Sequence, residues 1–241
     1  MNKRDFTREQ IIKAALRVFG ENSFQTASIS KIAREAKVAE GTIYQHFKNK
    51  EDLFFYIPIE RTNAFCDGLD LHLRGIHDTA SRITKFVWYF LHFFKENPDY
   101  ARMIMLEMRV SSGFLKSRAW ESLKRYTDLV LDTIKAGQED GTFRTDISAF
   151  RLRQLLFGIL EHVVVRWLIK DEAAADPSED YEQIADLVLN GIGSSASVQK
   201  PYVNVGRTRA RINPLPEVPA PPRKGRSPKR GGDQSTGNKA S

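Results

Sequence analysis

Cysteine is nearly absent. Of 241 residues only Cys66 carries a thiol, so neither an intrachain disulfide nor a cysteine-based zinc site can form, as suits a reducing cytosol. Long apolar runs are missing too. The longest, Phe86 to Phe94, is interrupted by His92 and is half of the roughly 20 residues a bilayer span needs. Met1 to Asp5 lead into polar helical sequence with no apolar signal core behind them, and both features predict a cytoplasmic protein with no membrane partner. Catalytic signatures are also lacking. There is no Gly-rich phosphate loop, no His-Glu-x-x-His and no Gly-x-Ser-x-Gly, and His46, His72, His77, His92 and His162 show no helical metal spacing. No catalytic residue, metal ligand or cofactor site is therefore assigned, and the expectation is not an enzyme.

What is present is unevenly distributed. The net charge of +7 divides into +5 over residues 1–50, −6 over 51–193 and +8 over 194–241. Two basic ends flank an acidic middle, and only the ends are candidates for a polyanion. The last segment holds Pro201, Pro214, Pro216, Pro219, Pro221, Pro222 and Pro228, seven of the ten prolines, and few large apolar residues. Such a chain cannot bury enough surface to offset its ordering entropy, so a disordered basic tail is expected from residue 194 on. Its clusters Arg207-Thr208-Arg209-Ala210-Arg211 and Arg223-Lys224-Gly225-Arg226-Ser227-Pro228-Lys229-Arg230 are either solvated or lend sequence-tolerant affinity for nucleic acid; the second resembles a minor-groove AT-hook.

The 193 residues before the tail read as all-α, in about nine helices. Thr7 is expected to open the first, through Glu21. Ser28 is placed to cap a second, with Ile29, Ile32, Ala33 and Ala36 as its core stripe. Gly41 to Phe47 make a short third, and Asn49 caps a fourth that Pro58 should kink or interrupt. Beyond it Ile83, Phe86, Val87, Phe90, Leu91 and Phe94 form one stripe, and Asn97-Pro98 reads as a cap with proline at the first helical position. A long helix follows Ser117 with Leu123, Tyr126, Val130 and Ile134 inward. Residues 150–170 are apolar on two faces, Leu152, Leu156, Ile159, Val163 and Trp167 against Leu160, Val164 and Leu168. Asp176-Pro177-Ser178 should start the last helix, carrying Ile184, Leu187, Val188 and Ile192.

A helix, a short helix, a tight turn and a second short helix describe a helix-turn-helix, whose last helix fits the DNA major groove. Helical geometry puts Thr42, Gln45 and His46 near one side and returns Ile43 and Phe47 to the core. Lys48 and Lys50, with the hydroxyls of Ser28 and Ser30, are placed to hold phosphates. Any three-helix core shows similar stripes, so pattern alone leaves DNA binding open.

The run Phe24-Gln25-Thr26-Ala27-Ser28-Ile29-Ser30-Lys31-Ile32-Ala33, followed by Val38-Ala39-Glu40-Gly41-Thr42-Ile43-Tyr44-Gln45-His46-Phe47-Lys48-Asn49-Lys50-Glu51-Asp52-Leu53, resembles the signature of the TetR family of bacterial transcriptional regulators. The resemblance implies that Thr42 and Tyr44 touch backbone or bases. It also implies that Glu40, Gly41, Gln45 and His46 face the groove and that Lys50 contacts phosphate. Two positions depart from it. The usual turn glycine is Lys37, and the usual polar cap before the reading helix is Ala39.

For residues 51–193 the resemblance implies a ligand-binding and dimerisation domain, a homodimer forming through segments 150–170 and 178–193. The aromatic stretch around Phe90 and the cluster Met103, Met105, Leu106, Met108 suggest either an adaptable apolar chamber or ordinary core. Glu107, Arg109, Glu161, His162 and Arg166 interrupt apolar runs and need partners if buried. Met105-Leu106-Glu107-Met108-Arg109 and Gly158 to Trp167 resemble the effector domain of TetR-type repressors of fatty-acid degradation. That resemblance implies a long-chain acyl-CoA effector, with Phe90, Met103, Leu106, Arg109, His162, Arg166 and Trp167 as candidate contacts. Two other readings stay open: a repressor of an efflux pump answering to a drug-like hydrophobe, and a helical ligand-binding protein without a specific operator.

Overall fold

A computed structural model describes residues 3–109, 111, 113–170 and 176–193. The expected disordered tail, 194–241, lies outside the described residues. Among those described, every regular element is helical, and the nearest approach to a sheet is an isolated bridge between Phe143 and Gly193. No helix among them is long and apolar enough to cross a membrane.

The first helix, α1 (Lys3–Glu21), begins four residues before the expected Thr7. Thr7 sits in its second turn, its hydroxyl donating back to the Lys3 carbonyl at 3.0 Å, and Asp5 supplies the first-turn acid that the macrodipole favours. Ile11, Ile12, Ala15, Val18 and Phe19 turn inward. Helix α2 (Ile29–Ala36) is capped as expected, the Ser28 hydroxyl accepting from the Lys31 amide at 3.2 Å. After α3 (Glu40–Tyr44), Asn49 caps α4 (Lys50–Leu73) by accepting from the Asp52 amide at 2.8 Å. Pro58 does not interrupt this 24-residue helix, which runs through it for about 36 Å.

Helix α5 (Thr79–Glu96) buries its whole expected stripe, Ile83 through Phe94. Asn97 does not cap the next helix with its side chain. It donates to the Phe93 carbonyl at 2.8 Å and so closes α5, while Pro98 occupies the first position of α6 (Pro98–Arg102). A π-helical turn, Met103–Met108, continues directly from α6, and a 3-10 turn, Phe114–Lys116, precedes α7 (Arg118–Glu139). Helix α8 (Ala149–Lys170) comes next. The last, α9 (Tyr181–Ile192), starts later than expected, because Asp176 accepts from the Ser178 amide at 2.8 Å and holds a non-helical turn first.

The two apolar faces expected of α8 need correcting in their membership. Leu152 and Leu156 belong with Leu160, Val164 and Leu168, all buried; Ile159 is exposed, with Val163 and Trp167 only partly covered. A spacing of four residues drifts slowly enough around the helix for 152 to 168 to form one continuous stripe. Likewise Leu187 on α9 points outward, while Ala185, Val188 and Ile192 pack. The core centres on aromatic rings: Phe65 of α4 lies 5.0 Å from Tyr89 and Phe93 and 4.9 Å from Tyr126, and Phe90 packs on Phe86, Phe94 and Phe157.

Candidate functional site

Two assemblies stand out, one at the N-terminal end and one beside α7 and α8. In the first, α2 and α3 meet at a turn whose chemistry is set by Lys37. This residue takes the left-handed conformation (φ 55°), the one positive φ outside glycine among the described residues. The kink lets the Val38 amide reach the Ala33 carbonyl at 3.0 Å and closes α2. A non-glycine residue there carries strain, so Lys37→Gly is expected to stabilise the protein by about 1 kcal/mol. Thermal denaturation should show a rise of roughly 2–4 °C.

Ala39 precedes α3 without a side-chain cap, as expected, and the first turn is closed by its carbonyl accepting from the Thr42 amide at 2.9 Å. Ile43 and Phe47 are buried and fix the rotation of α3. That rotation presents Glu40, Gly41, Tyr44, Gln45 and Lys48 outward, with Thr42 and His46 half-buried between them. Tyr44 is 53% exposed, unusual for so large a ring on a helix this well anchored. At Gly41 an added Cβ would meet nothing within 4 Å, so nothing inside the chain requires glycine there. Burial, and then the positive charges of Arg4 and Arg8, lower the pKa of His46 and so favour the neutral form of this half-buried ring. Ser30 is exposed at the start of α2, and the Ser28 hydroxyl is already used as a cap. Lys50 departs from expectation. Its ammonium donates inward, to the carbonyls of Phe24 at 2.7 Å and Ala27 at 2.8 Å, and stands 4.5 Å from the centre of the Phe24 ring.

The second assembly is a cleft of about 770 Å³ between the 3-10 turn, α7 and α8. Phe114, Trp120, Tyr126, Phe150 and Phe157 form apolar walls, and Arg109, Lys124 and Arg153 bring positive charge. Each arginine already has a partner: Arg109 pairs with Glu161, and Arg153 with Asp128 at 3.2 Å. Burial works against the charge of Arg109, but the Glu161 carboxylate outweighs it and raises the arginine's pKa. Burial pushes the Tyr126 phenol up to about 12, so it remains a hydrogen-bond donor. Behind Arg109 and Tyr126 a void of about 10 Å³ reaches toward Phe65, Tyr100 and Met105, barely room for one water.

Of the seven effector contacts expected from sequence, Arg109 alone lines this cleft. Phe90 and Met103 are fully buried, Leu106 is half-buried against the core, and His162, Arg166 and Trp167 lie elsewhere on α8. From α8 the cleft takes Phe150, Arg153, Gln154, Phe157, Gly158 and Glu161, while the expected His162 lies one residue, about 100°, further round. Phe114, Trp120 and Arg153 were missed; the two aromatics sit in and beside the connection before α7, which has no periodic signal. Glu107 and Arg109 do not pair with each other. Glu107 instead accepts the Phe24 amide at 3.2 Å, across 83 residues of chain.

Outside the cleft α8 carries an uncovered stripe. Leu155 is 58% and Ile159 43% exposed, continuing into the partly covered Val163 and Trp167, and Leu187 of α9 is 72% exposed.

Comparison with known proteins gives one consistent pattern. The family described as "Bacterial regulatory proteins, tetR family" matches residues 11–57, and "YsiA-like protein, C-terminal region" matches residues 59–191. The chain is 28% identical over 183 residues to a fatty acid metabolism regulator protein of Bacillus subtilis, spanning 76% of this chain and 94% of that one. Among solved structures it is similar to a fatty acid degradation regulator, FadR, from Bacillus halodurans, with a TM-score of 0.72 and 31% identity over 77% of this chain and 95% of the other. It is similar as well to FadR from Bacillus subtilis in complex with stearoyl-CoA, with a TM-score of 0.72 and 27% identity over 77% and 99% of the two chains.

Proposed function

This chain belongs to the TetR family of bacterial regulatory proteins, DNA-binding transcriptional regulators rather than enzymes, and from that premise we propose a repressor whose operator binding is relieved by a long-chain acyl-CoA. The observation that carries the proposal is the cleft. Its volume lies within the roughly 300–1,000 Å³ range of small-molecule sites, and it joins aromatic walls to Arg109, Lys124 and Arg153. An acyl chain suits the first feature and the phosphates of CoA the second. The stearoyl-CoA bound to the Bacillus subtilis relative supports the same ligand class.

In this reading residues 1–50 bind DNA, residues 51–193 hold the effector and form the dimer, and the basic segment 194–241 is a tail. The outward set Glu40, Gly41, Thr42, Tyr44, Gln45 and His46 faces the major groove, and Ser28, Ser30 and Lys48 face phosphates. Gly41 supports this placement: a helical glycine that no internal neighbour requires costs up to about 1 kcal/mol, a cost that close approach to a nucleic acid explains. Lys50 serves the same interface indirectly, by holding the turn before Ser28. Members of the family bind operators as dimers, and the stripe Leu155, Ile159, Val163, Trp167 with Leu187 is the surface assigned to the second copy. Two reading heads related by a two-fold axis then meet successive major grooves. Helix α4 packs along α7, whose other side lines the cleft, so a filled cleft shifts α4 and with it the reading head. Cytoplasmic placement belongs to the same reading.

Titration with palmitoyl- or oleoyl-CoA should raise the melting temperature and release a DNA fragment from upstream of the protein's own gene in a gel shift. At 100-fold over its dissociation constant the ligand adds about 2.7 kcal/mol to stability. Each CH₂ buried contributes about 0.8 kcal/mol, so lengthening the chain by two carbons should tighten binding about tenfold until the cleft is full. If drug-like hydrophobes shifted the melt and acyl-CoAs did not, the efflux-repressor reading would replace this one. If no upstream DNA bound, the reading head would have no specific operator.

A further inference from the structure

Glu107 lies inside the π-helical turn, one residue before its end at Met108, and Arg109 directly follows the turn; the two face opposite ways. Arg109 closes on Glu161 at the wall of the cleft. Glu107 reaches the turn between α1 and α2 and accepts the Phe24 amide at 3.2 Å. The other side of Phe24 is held as firmly. Its carbonyl takes the Lys50 ammonium at 2.7 Å, and the same ammonium takes the Ala27 carbonyl one residue before the Ser28 cap. The Phe24 ring packs 4.7 Å from Phe54, and its edge of the core includes Phe19. One residue is thus gripped at its amide from the effector side and at its carbonyl from the first turn of α4, directly upstream of the helix-turn-helix.

The turn bearing Glu107 is wound as a π-helix. A π turn carries about one residue more than an α turn, and single π turns inside helices mark functional sites. Relaxing it to α geometry would turn Glu107 and the residues after it, relative to those before Met103, by about 100° and shift them about 1.5 Å along the axis. Either movement exceeds what a hydrogen bond at 3.2 Å tolerates.

We propose that Glu107 is a positioning residue that conveys the state of the cleft to the reading head: when an anionic ligand group draws Arg109 away from Glu161, the π turn rearranges and Glu107 releases the Phe24 amide. The Phe24–Lys50–Ala27 clamp then loses one of its two anchors, and the start of α2 is free to move. This rests on the effector reading above only for the source of the anion, a phosphate group of an acyl-CoA. The clamp and its link to Arg109 are set by the chain itself. The route is distinct from a shift of α4 against α7, because it enters the reading head through the α1–α2 turn.

Amide exchange at Phe24 reads the contact directly, by hydrogen–deuterium exchange on the full-length protein with peptides spanning 22–27 and 43–57. Glu107→Ala is expected to speed exchange at Phe24 at least tenfold while 43–57, a fold control, stays unchanged. Glu107→Gln keeps an acceptor oxygen and should retain most of the protection. The decisive variant is Glu161→Ala, which lies in the cleft. It should speed exchange at Phe24 several-fold with no ligand present, an effect that a merely structural Glu107 would not produce. Oleoyl-CoA on the unaltered protein should do the same. Phe24 exchange unchanged in either Glu107→Ala or Glu161→Ala would overturn the proposal. If oleoyl-CoA failed to bind while both alanine variants behaved as expected, the effector assignment would fall and the relay would stand.

Discussion

The double substitution Leu155→Arg/Ile159→Arg is expected to give a folded monomer whose operator affinity is lower by about 10²–10⁴-fold. The size comes from avidity. Once one reading head of a dimer is seated, the second binds at an effective concentration set by the tether, and affinity gains of that order need no new contact. Both side chains are exposed on the single chain, so replacing them removes little internal packing. A guanidinium placed in an apolar two-fold interface meets its own copy and has no partner, which costs far more than the lost contact area. Light scattering would report the mass, circular dichroism the retained helix, and fluorescence anisotropy the affinity. A dimer of unchanged mass would move the interface elsewhere.

Phe90→Ala should show the next largest effect, and on stability rather than on ligand choice. Phe90 is fully buried among Phe65, Phe86, Phe94 and Phe157, with centroid separations of 6.3, 5.9, 4.8 and 6.0 Å. Removing a ring from such a cluster leaves a cavity and typically costs about 3–5 kcal/mol, which for a domain of this size lowers the melting temperature by roughly 10–15 °C. If Phe90 lined an open chamber instead, the loss would be small in the free protein and large in effector affinity. Denaturation with and without oleoyl-CoA separates the two outcomes.

The residues that fixed the fold in advance were those whose signal is local. Ser28 and Asn49 cap the helices they were expected to cap, and Ser117 caps the helix expected to follow it, because a cap is a bond between near neighbours. The stripe from Ile83 to Phe94 was equally readable, since one face of a helix is written at 3.6-residue spacing. Thr7 misled because threonine also bonds back to a carbonyl four residues earlier inside a helix. The outward residues of α3 were legible for the same reason as the caps: Ile43 and Phe47 fix the rotation of five residues. The cleft was not. Its walls come from the connection before α7 and from two long helices, and no periodicity states which face of α8 meets which face of α7. Lys50 and Glu107 were hidden more thoroughly, since their partners are backbone groups of Phe24 and Ala27, far away in sequence. A charge aimed at a main-chain atom leaves no trace in side-chain pattern.

Proline at position 58 is buried within an unbroken helix, and the consequence is mechanical. Proline has no amide hydrogen, so the rung that would tie residue 58 to the carbonyl of Phe54 is missing. A rod short of one rung is most compliant at that point. The eight residues from Lys50 to Ile57 can therefore tilt as a short lever with the elements they hold, while the stretch from Ile59 to Leu73 stays stiff against its neighbours. Any bending of helix α4 would therefore concentrate at this missing rung, and its place eight residues into the helix means that such a bend would reach the reading head as rotation.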